Sequence, residues 1–172
     1  VNIALIRNGC PVLGVVYIPV QDVMYVGTQV EAPRAFVSIK GEVNEIKTRP
    51  LKSDKSLTVV TSRRHGKGSD SNLFTTLAKY FDPIETQTIG SSIKFCLVAS
   101  GSVDLYPRLA PTSEWDTAAA QAVVESAGGA VVDFSLRPLR YNAKRNLLNP
   151  NFLVVGDKNF PLAHVLDDYT TH

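Results

Sequence analysis

From Trp115 to Ala127 the chain reads Trp-Asp-Thr-Ala-Ala-Ala-Gln-Ala-Val-Val-Glu-Ser-Ala, and Gly128-Gly129 follows. Alanine loses least on entering a helix, and paired glycines end one. The run therefore predicts a helix over 115–127. Ala118, Ala119, Ala120 and Ala122 leave almost no bulk on it. Small side chains let another backbone come close, so this helix constrains whatever is built around it.

From about Leu51 onward the chain alternates between strand and helix patterns. Leu57 to Thr61 is a short apolar strand. Asp70 or Ser71 can cap a helix with apolar residues at Leu73, Phe74, Leu77, Ala78 and Phe81. Ile84 to Ile89 predicts a weaker strand. Gly90-Ser91-Ser92 opens a helix with Ile93, Cys96 and Leu97 on one face. Val103 to Tyr106 is a strand closed by Pro107. Strands follow at Ala130–Val132 and Phe152–Val155, then a short helix over 160–168. Such alternation favours an α/β layer with helices on both faces of a sheet.

Residues 1–49 read differently, as antiparallel sheet. Asn8-Gly9 lies between two apolar runs, the strongest short hairpin signal, because a type I′ turn needs positive φ at both central positions. Further strands are expected over 12–18, 23–26 and 35–39. They form a meander with one face in need of cover, and nothing within 1–49 is helical enough to cover it. The expected organisation is an antiparallel unit over 1–49 and an α/β unit over 50–172. The chain opens on Val1, inside a strand pattern, and its single methionine is Met24. The expectation is a piece of a longer protein.

Of 172 residues, 44% are hydrophobic and 20% charged, which excludes disorder, collagen and coiled coil as the main state. No apolar run approaches the roughly 20 residues of a membrane span. The 18 basic and 16 acidic residues give a net charge of +2, so any anion site must be local. Two distant cysteines fit no metal spacing and suit a reducing cytoplasm.

Four places could carry chemistry. Gly90-Ser91-Ser92-Ile93-Lys94 pairs a strand-to-helix turn with a lysine, and serves either as an anion site or as a plain serine cap with an exposed lysine. Ser62-Arg63-Arg64-His65-Gly66 follows a strand, where α/β sheets place ligands, though a solvated loop has the same composition. Arg108, ending Tyr106-Pro107-Arg108, could bind phosphate bidentately. Asp116 stands at a helix start, where a carboxylate caps the helix or binds a metal.

The run from Trp115 to Gly129 resembles the C-terminal signature of the inositol monophosphatase superfamily: an aromatic-Asp pair, small residues, an apolar run and Gly-Gly. Within that superfamily the resemblance is nearer to bacterial members that act on nucleotide bisphosphates. It rests on Val1–Ile6, Gly14-Val15-Val16-Tyr17, residues 90–99, Leu105-Tyr106-Pro107-Arg108 and Asn146-Leu147-Leu148-Asn149-Pro150. It implies an α+β or α/β fold, the C-terminal part of a layered α-β-α-β-α phosphatase, with antiparallel strands followed by a mixed sheet. It also implies Mg²⁺-dependent, lithium-sensitive removal of the 3′-phosphate from adenosine 3′,5′-bisphosphate and its sulfated form, in sulfur assimilation. Asp116 would be a metal ligand, and His65, Ser91, Lys94 and Arg108 would hold the substrate. The implied partner is that small nucleotide, not a nucleic acid polymer. Apart from the resemblance, the uncovered face of the strands over 1–49 is expected to be exposed and to offer a surface for self-association; the implied location is cytoplasmic or peripheral at the inner membrane.

The family's metal-binding Glu and its Asp-Pro-Leu-Asp-Gly-Thr motif do not occur here, so the chain alone is expected to be inactive. Arg64 replaces an expected small polar residue, and Ser135–Arg140 is unusually basic. Inositol monophosphatases are expected to carry a neutral residue in place of Lys94 and an acid in place of Arg108. An acid suits sugar hydroxyls and an arginine suits phosphate, so the nucleotide is favoured. The alternatives are an inositol monophosphatase-like enzyme and a non-catalytic, anion-binding chain.

Overall fold

The computed structural model describes residues 1–52, 54–62 and 71–170. Five antiparallel strands, β1 (Asn2–Arg7), β2 (Cys10–Ile18), β3 (Val23–Thr28), β4 (Arg34–Ile39) and β5 (Glu42–Ile46), form one sheet in sequence order. The β1–β2 turn is the expected one, with φ of 51° at Asn8 and 75° at Gly9. Sequence periodicity missed β5, because its polar, exposed residues pair along the sheet edge without a buried face.

The second sheet has the order β7-β6-β8-β10-β9, built from β6 (Leu57–Thr61), β7 (Ile84–Thr88), β8 (Leu105–Arg108), β9 (Ala130–Asp133) and β10 (Phe152–Val155). It is mixed: β7 and β8 run parallel to β6, while β10 is antiparallel to β8 and β9. Pro107 does not close β8 as expected. It pairs with Leu153 of β10, and β8 meets β6 only at Val59↔Leu105, so a missing N–H costs little beyond that point.

Four helices complete the layers: α1 (Ser71–Leu77), α2 (Ile93–Ala99), α3 (Glu114–Ser126) and α4 (Leu162–Thr170). α1 is shorter than the apolar spacing predicts; Phe81 still reaches the core from the turn after the helix. α4 begins two residues later than expected. One core joins α2 and α3 to residues of both sheets, including Val16, Ala35, Val60, Tyr106 and Phe152. A second core sits between α1, α4 and the other face of the second sheet. The stacking is sheet, helix pair, sheet, helix pair.

The small-residue helix is the hinge of this arrangement. α3 lies on the inner face of the first sheet so closely that a Cβ on Gly14 would overlap Ala119 O, and one on Gly27 would overlap Val123 Cα. Cover for the first sheet therefore comes from the second stretch of chain. The opposite face stays open. Ile3, Leu5, Met24 and Val43 are exposed there, beside half-buried Leu13, Val15, Val26 and Phe36.

Candidate functional site

A cleft of about 490 Å³ opens where the ends of β6 and β8 meet the starts of α2 and α3. Ser91, Lys94, Arg108 and Asp116 all line it, with Asn2, Ser62 and Thr112 around them. Buried Phe95, Tyr106 and Phe152 line the same cleft and pack edge-on or tilted at centroid distances of 5.5–6.0 Å. Four of the five expected site residues therefore converge. The fifth, His65, lies outside the described residues, as do Arg63, Arg64 and Asp70.

Lys94 is not the exposed lysine of a plain cap: it is only 3% exposed. Its Nζ donates to Ser91 O at 2.9 Å and Ile89 O at 3.3 Å, and lies 4.9 Å from the centroid of the Tyr106 ring. Burial, reinforced by the charge of Arg108, pulls its pKa down from 10.5 to about 8. An ammonium has three donors, so one remains.

Arg108 donates through Nε to Ala110 O (3.1 Å), through Nη1 to Ser62 Oγ (2.8 Å) and through Nη2 to Pro111 O (3.2 Å). Among the described residues three of its five N–H groups have partners, which leaves two. Every partner is neutral. Among the described residues neither Lys94 nor Arg108 makes an ion pair. Two positive charges thus face one cleft, which they share with Asp116, without an ion-pair partner among the described residues, and their remaining donors suit the terminal oxygens of a phosphate monoester.

Ser91 does not cap α2. The N-cap is Ser92, whose side chain makes no cap bond and instead donates to Asn2 Oδ1 at 3.0 Å. Ser91 sits one residue earlier at φ 63°, a left-handed conformation that costs a serine roughly 1–3 kcal/mol and persists only where its surroundings impose it. Its carbonyl holds Lys94, and its Oγ accepts weakly from Ile93 N–H at 3.4 Å.

Asp116 occupies the third position of α3, and its Oδ2 accepts from Ser113 N–H at 2.9 Å. It is exposed at the cleft. Asn149, from the Asn-Leu-Leu-Asn-Pro run, anchors this helix start: its Nδ2 donates to Thr112 Oγ1, Ser113 O and Thr117 Oγ1 at 2.9–3.1 Å. Sequence reading did not single out Ser62, Tyr106 or Asn149 as site residues. Ser62 and Tyr106 adjoin flagged arginines, but only the neighbouring strand shows what they touch.

The family model of inositol monophosphatases matches residues 1–163. The chain belongs to the inositol monophosphatase family. It is 42% identical over 154 residues to the 3′(2′),5′-bisphosphate nucleotidase CysQ of Escherichia coli K12, covering 90% of this chain and 58% of that protein. The Haemophilus influenzae CysQ is 35% identical over 164 residues, covering 93% of this chain and 58% of that protein. The crystal structure of CysQ from Bacteroides thetaiotaomicron superposes with a TM-score of 0.79 at 36% identity, covering 91% of this chain and 62% of the other. The chain therefore spans under two thirds of the length of these relatives. The fold is that of the family, as the resemblance implied.

Enzymes of this family are generally metal-dependent. Mg²⁺ wants six oxygens in near-octahedral array. The described residues contain no group of three or more His, Cys, Asp or Glu side chains that could hold a metal ion. Asp116 can offer a carboxylate, but these residues do not by themselves fit a metal centre. No helix among them is long and apolar enough to cross a membrane.

Proposed function

We propose that this chain carries the phosphate-recognition part of a phosphatase that removes the 3′-phosphate from adenosine 3′,5′-bisphosphate or its sulfated form. The observation that carries this reading is the pair Lys94 and Arg108, lining one cleft without an ion pair to any described residue. A bisphosphate brings two multiply charged groups, and metal ions neutralise the one being cleaved. The other needs protein cations. Lys94 and Arg108 bind it, and Ser91 shapes the turn that holds Lys94; His65, outside the described residues, is assigned to the same substrate by the family resemblance alone. Asp116 is one ligand of a Mg²⁺ site whose remaining ligands are not among the described residues. The names of the curated relatives support the substrate. Sulfur assimilation and the cytoplasm are the setting that such a substrate suits.

The same charges argue against an inositol phosphate. Such a ligand presents one phosphate and several hydroxyls, and leaves the second cationic subsite unmatched.

The test is binding of adenosine 5′-monophosphate, which carries the phosphate that is not cleaved, against adenosine and inositol 1-phosphate. Lys94→Ala and Arg108→Ala should each weaken the nucleotide about ten- to a hundredfold, the value of a charge-assisted contact. Equal losses for all three ligands would overturn the assignment. Phosphate release from adenosine 3′,5′-bisphosphate by residues 1–172 in millimolar Mg²⁺ should stay at background. Lithium-sensitive turnover would show that this chain holds a complete metal site.

A further inference from the structure

We infer that Ser62 is a positioning residue for Arg108, fixing the guanidinium so that two of its N–H groups stay turned to a phosphate. The inference rests on the phosphate-binding reading above. β6 and β8 are parallel neighbours in register at Val59↔Leu105. Counting three residues along each strand brings Ser62 level with Arg108. The short Ser62 side chain bridges the gap, and its Oγ accepts from Arg108 Nη1 at 2.8 Å.

The other two partners of Arg108, Ala110 O and Pro111 O, belong to its own turn and hold Nε and Nη2. Alone they would leave the rigid guanidinium plane able to swing about the line through Nε and Nη2. Among the described residues Ser62, just past the end of β6, is the one partner from outside that turn, and it ties the guanidinium to the neighbouring strand end. Three acceptors on three different nitrogens define a plane, and none of them carries charge. Arg108 is thus held without being neutralised. An aspartate in place of Ser62 would hold it equally well and cancel the charge that a phosphate needs. Tyr106 is buried and lines the cleft together with Ser62 and Arg108.

The experiment is an NMR titration of the full chain with adenosine 5′-monophosphate, with adenosine as control. Ser62→Ala should weaken the monophosphate about three- to tenfold, the range for losing one hydrogen bond that orients a charged donor. Adenosine binding should not change. Ser62→Thr keeps the hydroxyl and should bind the monophosphate within about twofold of the parent. In an Arg108→Ala background, Ser62→Ala should cause no further loss, because the effect runs through the arginine. If Arg108→Ala weakens the monophosphate and Ser62→Ala does not, the positioning role is overturned and the phosphate reading stands. If Ser62→Ala costs as much without Arg108 as with it, the role is overturned as well. If Arg108→Ala itself leaves monophosphate binding unchanged, both readings fall.

Discussion

Lys94 is a cation buried with two carbonyls, an aromatic face and, among the described residues, no ion-pair partner. Its charge is costly in the free protein and useful only when an anion arrives. Two expectations follow from its depressed pKa of about 8. Affinity for adenosine 5′-monophosphate should fall as pH rises through and above 8, as the free protein's ammonium deprotonates; a titration series from pH 6.5 to 9.5 reads this directly. Folding stability should move the other way. Between about 8 and 10.5 the unfolded chain binds the extra proton, so stability rises with pH across that window. Lys94→Met should remove both dependences. At pH 7 it should also raise the unfolding free energy by something on the order of 1 kcal/mol, while weakening the monophosphate as Lys94→Ala does. A destabilised Lys94→Met protein would mean that the two carbonyl contacts outweigh the desolvation of the charge.

At the scale of elements, α3 works twice. Its start carries Asp116 to the cleft, and its body seals the first sheet through Ala119, Ala122 and Val123 against Gly14 and Gly27. The opposing surfaces are backbone, which cannot rotate away as a side chain can. Gly14→Ala or Gly27→Ala must push helix and sheet apart, and should lower stability by about 1–3 kcal/mol or more in denaturant unfolding. Gly41→Ala is the control for space, since a Cβ there meets nothing within 4 Å, although its φ of 89° adds backbone strain of its own. A Gly14→Ala protein as stable as the parent would show that the layers slide more easily than this packing allows.

Over the whole molecule, a partly buried charge cluster ties the end of the first sheet to the second. Arg49, just past β5, grips Asp104 with Nε–Oδ1 at 2.6 Å and Nη2–Oδ2 at 2.7 Å. Thr58 joins through its N–H to Oδ2 and its Oγ1 to Arg49. Asp104 is 2% exposed, so Arg49→Ala leaves a carboxylate buried and unpaired by charge and should cost about 3–5 kcal/mol in chemical unfolding. Arg49→Ala together with Asp104→Asn should recover part of that loss. The outer face of the first sheet is the other large-scale feature. Its exposed Ile3, Leu5 and Val43 should drive concentration-dependent self-association in sedimentation velocity. Ile3→Lys with Val43→Lys should shift the distribution towards monomer. An unchanged distribution would mean that this face is not sticky in water.

Local signals determined much of this protein without its fold. Asn8-Gly9 specifies its hairpin because few residues accept positive φ, and alternation after Leu51 specifies layered α/β structure because each period buries one face. The long Trp115–Gly129 signature specifies the family. Lys94 and Arg108 were legible as candidates through the same motifs. Tertiary structure decided the rest, because it concerns what comes near what across the sequence. Lys94 reads as an exposed helix-start lysine until the Tyr106 ring and two carbonyls enclose it. Ser91 reads as a cap until the backbone turns left-handed there and passes the cap position to Ser92. β5 has no buried face to betray it, and only pairing with β4 makes it a strand. The small residues of α3 announce a close approach, but not to what. The partner glycines lie about a hundred residues earlier, on a sheet whose own sequence carries no cover for it.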